Sequence, residues 1–237
     1  MQVILIHSKD DPVRLSYTDI FERGRPPKDK PNDPGRYATH AIIRPDGANA
    51  RKVKEAMAAE AAKIFGPNWQ AIVAEISKDK KCLRNGDSNR DDKGNTRDGY
   101  AGMMYVKSSN SEQPEVVGKQ KGVIFTGPRK TTNHIGHPHA PYSGCYGNVI
   151  VDVYASKKHG DAINASLLAV QFADVGQSFG GGSTAGSSDA FSYDEAPAGA
   201  GDAFGGTDAF GDPVASTPAA AVDPFGAAPA AARDPWA

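Results

Sequence analysis

From residue 177 to residue 237 the chain is built of Gly, Ala, Ser, Pro and Asp with widely spaced aromatics. Such a stretch buries too little apolar area to offset the roughly 1–2 kcal/mol of backbone entropy lost per ordered residue. Any core must therefore come from the first 176 residues, which are enough for one well-buried core. The expected organisation is a folded body over residues 1–176 and a disordered tail over residues 177–237. Charge divides at the same border. The tail holds seven Asp and one Glu against Arg233 alone, a net −7, whereas the body holds 26 basic and 20 acidic groups, a net +6. A basic body joined to an acidic tail suggests an anionic or nucleic-acid partner.

Within the tail one triplet recurs five times: Asp189-Ala190-Phe191, Asp202-Ala203-Phe204, Asp208-Ala209-Phe210, Asp223-Pro224-Phe225 and Asp234-Pro235-Trp236. An acid beside an aromatic offers a charge and an apolar anchor to a basic-rimmed pocket, and repetition raises its local concentration. Asp223, Phe225, Asp234, Pro235 and Trp236 are the expected partner-docking residues. A plain solubilising spacer is the other reading of the same composition.

The body alternates in the manner of strands at residues 13–21 (VRLSYTDIF) and 37–44 (YATHAIIR). Between residues 49 and 65, Val53, Met57, Ala61 and Ile64 or Phe65 recur at helical spacing among Ala, Lys and Glu, and Gly66-Pro67 ends the run. This is the one clear helix, with a shorter helical stretch in NWQAIVAEI after it. Residues 78–98 are almost wholly polar and read as a long charged loop. Strand signals return at 99–109, 122–127, 145–156 and 163–175. The pattern is mostly β (α+β) and suits a small barrel or an α+β sheet. The apolar run VILI at 3–6 is too short for a signal peptide or a membrane span. Cys82 and Cys145 make no disulfide framework and suit a reducing cytoplasm.

Basic residues cluster beside aromatics: Arg14 with Tyr17, Arg36 with Tyr37, Lys80, Lys81 and Arg84 together, Arg97 with Tyr100, Lys107 with Tyr105, and Arg129 and Lys130 ahead of Tyr142 and Tyr146. Single-stranded nucleic acid calls for this combination, since cations track phosphates while aromatic faces stack on unpaired bases at ~1–3 kcal/mol each. Taken singly, a strand tyrosine is usually core and a loop lysine usually solvated surface; the ensemble and the charge split carry the reading. Catalytic signals are missing: there is no G-x-S-x-G, Walker loop or H-E-x-x-H. His134, His137 and His139 with Cys145 could supply four zinc ligands, but H-x2-H-x-H without a second nearby cysteine matches no common structural zinc pattern. Asp87, Asp91 and Asp92 could bind a divalent ion, but Arg84, Arg90 and Lys93 interleave them and the stretch reads as a solvated charged loop. No metal, cofactor or catalytic residue is expected.

The stretches VRLSYTDIF, YATHAIIRPDG, LRNGD ahead of DGYAGMMYVKSS, and above all PYSGCYGNVIVDVYAS followed by INASLLAVQFADVGQSFGGG, resemble the bacteriophage single-stranded DNA-binding (helix-destabilising) protein family over roughly residues 12–182. The resemblance implies an OB-fold barrel without enzymatic activity that binds single-stranded DNA sequence-tolerantly in phage replication and recombination, in the cytoplasm of the infected host cell. It implies replication proteins (polymerase, helicase or primase) as partners of the tail, no membrane partner, and admits a homodimer. Motif position places Tyr17, Arg84, Tyr100, Tyr142 and Tyr146 in or next to family motifs without saying which of them touch DNA. The candidate DNA-binding set is therefore Tyr17, Arg36, Tyr37, Lys80, Lys81, Arg84, Arg97, Tyr100, Lys107, Arg129, Lys130, Tyr142 and Tyr146. Two other readings are a phage structural or scaffold protein using the tail as a multivalent linker, and a metal-dependent nuclease centred on the histidine loop.

Overall fold

The longest period-2 run in the chain forms the centre of the fold. From residue 146 onward buried and half-exposed positions alternate, with Val149, Val151 and Val153 turned inward, because β-branched side chains fill one face of a pleated surface. The computed structural model describes residues 1–26, 32–158 and 160–179. In chain order it contains strands β1 (Gln2–Leu5), β2 (Arg14–Asp19) and β3 (Tyr37–Ile43), helices α1 (Ala48–Phe65) and α2 (Trp69–Glu75), then strands β4 (Leu83–Asn85), β5 (Met104–Asn110), β6 (Glu115–Val117), β7 (Tyr146–Ser156) and β8 (Ala162–Asp174). One sheet runs β4-β5-β3-β2-β7-β8-β6, with β1 also pairing β7; every pairing is antiparallel except β6 with β8. The sheet curls until Lys81, just before β4, forms a parallel bridge with Ile163 of β8, and the Cys82 N–H donates to the Ile163 carbonyl at 2.7 Å. The margins meet at this bridge rather than along a ladder, so the mostly β body is OB-like without being a fully closed barrel.

Helix α1 covers the core with Val53, Met57, Ala61 and Phe65, as its spacing foretold, and with Ala56, while Ile64 is exposed. Its first turn is capped from outside. Gly47 at the N-cap has no side chain to offer, and the Asp11 carboxylate instead accepts the Asn49 backbone N–H at 2.8 Å. A Cβ on Gly47 would lie 2.1 Å from Asp11 Oδ1, so only glycine permits this approach. The buried Asn49 side chain accepts the Ile6 N–H at 3.0 Å and donates to the Ile6 carbonyl at 2.9 Å, tying α1 to the end of β1.

The structure corrects the expected elements in four places. Residues 78–98 are not one loop: they hold short 3-10 turns at Lys78–Lys80 and Gly86–Ser88 and the strand β4, whose three residues are too few to show a period among charges. Residues 122–127 are not a strand; within them Ile124 makes a single bridge to Val117 of β6, and Gly122 and Gly127 turn the chain at φ 90° and 79°. Residues 99–103 of the strand expected at 99–109 are not strand but mostly turn, and β5 begins at Met104; the VILI run, for which no element was expected, supplies β1, burying Val3 and Leu5 and leaving Ile4 exposed. Among the described residues no helix is long and apolar enough to cross a membrane. The five tail triplets, with Asp223, Phe225, Asp234, Pro235 and Trp236, lie outside the described residues.

Candidate nucleic-acid interface

Strand β2 is broken by a bulge. Its register with β3 slips between Ser16 and Asp19, and inside that slip Tyr17 takes φ 51°, the left-handed region that side chains other than glycine rarely adopt. Strain of this kind costs about 1–3 kcal/mol and persists where the surroundings enforce it. Here it turns the Tyr17 ring outward, 40% exposed, with the Arg97 guanidinium 5.8 Å from the ring centre and the His40 ring edge-on at 4.8 Å. Tyr17, Arg97 and Tyr100 line a groove of about 640 Å³ together with Phe179, and the carboxylates of Asp19, Asp91 and Asp98 line it as well.

A second apolar layer lies beneath this groove. Ile42, Tyr100, Met103 and Tyr105 are buried yet stand apart from the main core cluster. Cross-strand register explains the grouping, since Ile42 faces Tyr105, His40 faces Lys107, and Arg84 faces Tyr105. The His40 ring centre lies 4.8 Å from that of Tyr105, and its Nδ1 is 2.9 Å from the Tyr100 hydroxyl. Burial, then Lys107, then Arg84 lower the His40 pKa to about 3, while burial raises that of Tyr100. His40 is thus neutral and Tyr100 protonated, and the two share this hydrogen bond.

The cations sit at the border of this layer. Lys107 is exposed on β5, its ammonium depressed by partial desolvation and by Arg84. Arg84 is pinned: its Nε donates to the Lys81 carbonyl at 2.8 Å and its Nη2 to the Asp79 carbonyl. The result is an exposed aromatic ring under a guanidinium, on a rigid aromatic floor with a basic border. Such a surface can stack unpaired bases and hold phosphates.

The family model described as "Enterobacter phage Enc34, ssDNA-binding protein" matches residues 2–200. The chain belongs to this family. Protein p50 of Acyrthosiphon pisum secondary endosymbiont phage 1 is 29% identical over 180 residues, covering 73% of this chain and 86% of p50. The single-stranded DNA-binding protein from bacteriophage Enc34, solved in complex with ssDNA, superposes with a TM-score of 0.56 at 19% identity, covering 76% of this chain and 89% of that one. A C-terminally truncated form of the same Enc34 protein gives 0.53 at 19% identity, over 76% and 87%. At that identity the two structures speak for the fold.

In this member of the Enc34 family the remaining candidates are scattered. Lys81 is 5% exposed beside the bridge to β8, and Lys80 is exposed with its Nζ near Gly160. Tyr37 opens β3 under the Arg23 guanidinium at 5.6 Å, next to the exposed Arg36. Arg129 pairs with Glu115 at 2.6 Å, and the exposed Lys130 follows it. Tyr146 stacks on His7 at 4.7 Å, and Tyr142 packs on the core with its hydroxyl accepting the Gly176 N–H at 3.0 Å. None of these residues lines the groove, and neither do Arg84 and Lys107, which stand beside His40 at the margin of the layer beneath it. Tyr100 does line it, but as a floor residue 1% exposed, so its ring supports the site from below.

The histidine loop has a packing role. His134 stacks on Phe21 at 3.9 Å, His137 meets Phe125 edge-on at 5.1 Å, and His139 stacks on Phe172 at 5.6 Å. Among the described residues no three His, Cys, Asp or Glu side chains converge as a metal site. Asp91 closes its own loop, accepting N–H bonds from Lys93 and Asn95. Burial pushes the Cys82 thiol up to about 12 and that of Cys145 up to about 11, which keeps both unreactive. Sequence reasoning passed over His40 and Phe179. For His40 a signal existed: it shares strand parity with Ile42, opposite to the core-facing Ala41 and Ile43.

Proposed function

We propose that this Enc34-family protein binds single-stranded DNA, without catalysis, in the groove between β2 and the 91–100 segment. The observation that carries the reading is Tyr17, held in a left-handed backbone so that its ring stands in the groove under Arg97. On this reading Tyr17 stacks on a base, Arg97, Arg84 and Lys107 take phosphates, and Tyr100 and His40 hold the platform from beneath. The likeness to the Enc34 protein solved with ssDNA supports it. Anisotropy titration should show oligo-dT bound more tightly than duplex of equal length, because a paired base cannot offer its face. The log–log salt slope should be about −2, from three neutralised phosphates at roughly −0.7 each. Equal affinity for duplex, or no salt dependence, contradicts the reading.

A role in phage replication and recombination follows from the same proposal, with the acidic tail recruiting replication partners and competing with DNA for the basic body. Deleting residues 183–237 removes the −7 of the tail. Affinity for oligo-dT should then rise at low salt, and the gain should shrink as the Debye length falls below about 10 Å. Weaker DNA binding after the deletion shows that the tail contributes to the site instead of competing for it.

A further inference from the structure

Phe179 of the groove lining belongs to the segment Gln177–Phe179, at the border where the body was expected to give way to the tail. The segment is built in. The Phe179 N–H donates to the Ser143 carbonyl at 3.0 Å. Arg14, 3% exposed at the start of β2, donates from Nη2 to the Gln177 carbonyl at 2.8 Å and from Nε to the Gly144 carbonyl at 3.1 Å. Its guanidinium carbon lies 4.0 Å from the centre of the Phe179 ring. Two neighbouring backbones are shaped around the segment. A Cβ on Gly99 (φ 76°) would lie 2.4 Å from Phe179 Cζ, and one on Gly144 (φ 109°) would lie 2.1 Å from the Gln177 carbonyl oxygen.

We infer that Phe179 is a base-stacking residue of the DNA groove, a second aromatic platform locked from behind by Arg14. The inference rests on the single-stranded DNA reading above. The ring lines the same groove as Tyr17, Arg97 and Tyr100, and aromatic faces set along one groove beside a guanidinium suit successive unpaired bases. Withdrawal of the segment would break its main-chain bonds to Ser143 and Arg14, and withdrawal of the ring alone would forfeit its contact with the Arg14 guanidinium. The ring is therefore a wall of the groove and not a plug for it.

The test uses the full-length chain with Phe179→Leu and Phe179→Tyr, read by oligo-dT anisotropy and thermal melting. Leucine keeps apolar contact with Gly99 and Arg14 but offers no ring. Phe179→Leu should bind about tenfold more weakly, the equivalent of one lost stack, and Phe179→Tyr within about twofold of the parent, all three melting together. Unchanged or tighter binding by Phe179→Leu overturns the inference, as does an equal loss in Phe179→Tyr. Should Phe179→Leu melt early, irradiation of Phe179→Tyr bound to 5-bromodeoxyuridine oligonucleotide decides: an adduct on residue 179 supports stacking, and its absence overturns it. A parent chain that fails to bind oligo-dT overturns the single-stranded DNA reading itself, a result independent of any change at position 179.

Discussion

Replacing Tyr17 by alanine should weaken oligo-dT binding by about 10- to 100-fold, from ~1–3 kcal/mol of lost base stacking, and leave the fold intact. The ring is 40% exposed and touches His40 only edge-on, so its removal opens no core cavity. The backbone strain at φ 51° is unchanged in Tyr17→Ala but relieved in Tyr17→Gly, which should be the more stable protein by about 1 kcal/mol while binding no better. Arg97 stands 5.8 Å from the same ring. Its own substitution should therefore cost less in the Tyr17→Ala background than in the parent, since the two groups act on one nucleotide. Anisotropy titrations with urea melts on the parent, Tyr17→Ala and Tyr17→Gly check affinity and stability, and Arg97→Ala alone and combined with Tyr17→Ala checks the coupling. Unchanged affinity combined with lost stability would place Tyr17 among structural residues and move the site elsewhere.

How much of this was readable in the sequence depends on pattern length. Strands β7 and β8, of 11 and 13 residues, and the 18-residue helix α1 repeat their period often enough to stand out. The three-residue β4 and β6 cannot, and they form because longer neighbours, β5 and β8, offer them free edges. For the site, the residue types were visible and their assembly was not. Tyr17, Arg84, Arg97, Tyr100 and Lys107 come together only through the β3–β5 register and the slip at Ser16–Asp19, neither of which a local window encodes. The segment YSGCYG drew the resemblance most strongly. Its tyrosines hold Gly176 and stack on His7, so a segment that marks the family can mark its architecture as well as its site. Phe179 escaped because it lies where composition already looks like tail.

Acid should unfold this protein partly through His40, and the size of the effect can be isolated. An unfolded histidine takes up its proton near pH 6.5, whereas His40 in the folded chain stays neutral down to about 3. Above pH 6.5 neither state is charged and the stability is whole. Between those two values the unfolded chain binds one more proton, so stability falls as pH falls through that window. At 1.36 kcal/mol per unit, and trimmed for the solvent contact the ring retains, the loss between pH 6.5 and 4.5 should be about 2 kcal/mol. His7, also lowered chiefly by burial, adds in the same direction, whereas Asp19, raised by burial, opposes it. Both remain in His40→Gln, whose amide can still hydrogen-bond the Tyr100 hydroxyl but does not titrate. Urea unfolding of the two proteins at pH 7 and pH 4.5 should therefore show the parent losing about 2 kcal/mol more than His40→Gln. Parallel pH profiles would mean that His40 charges freely in the folded state, and that the neutral imidazole beneath the Tyr17 platform does not exist.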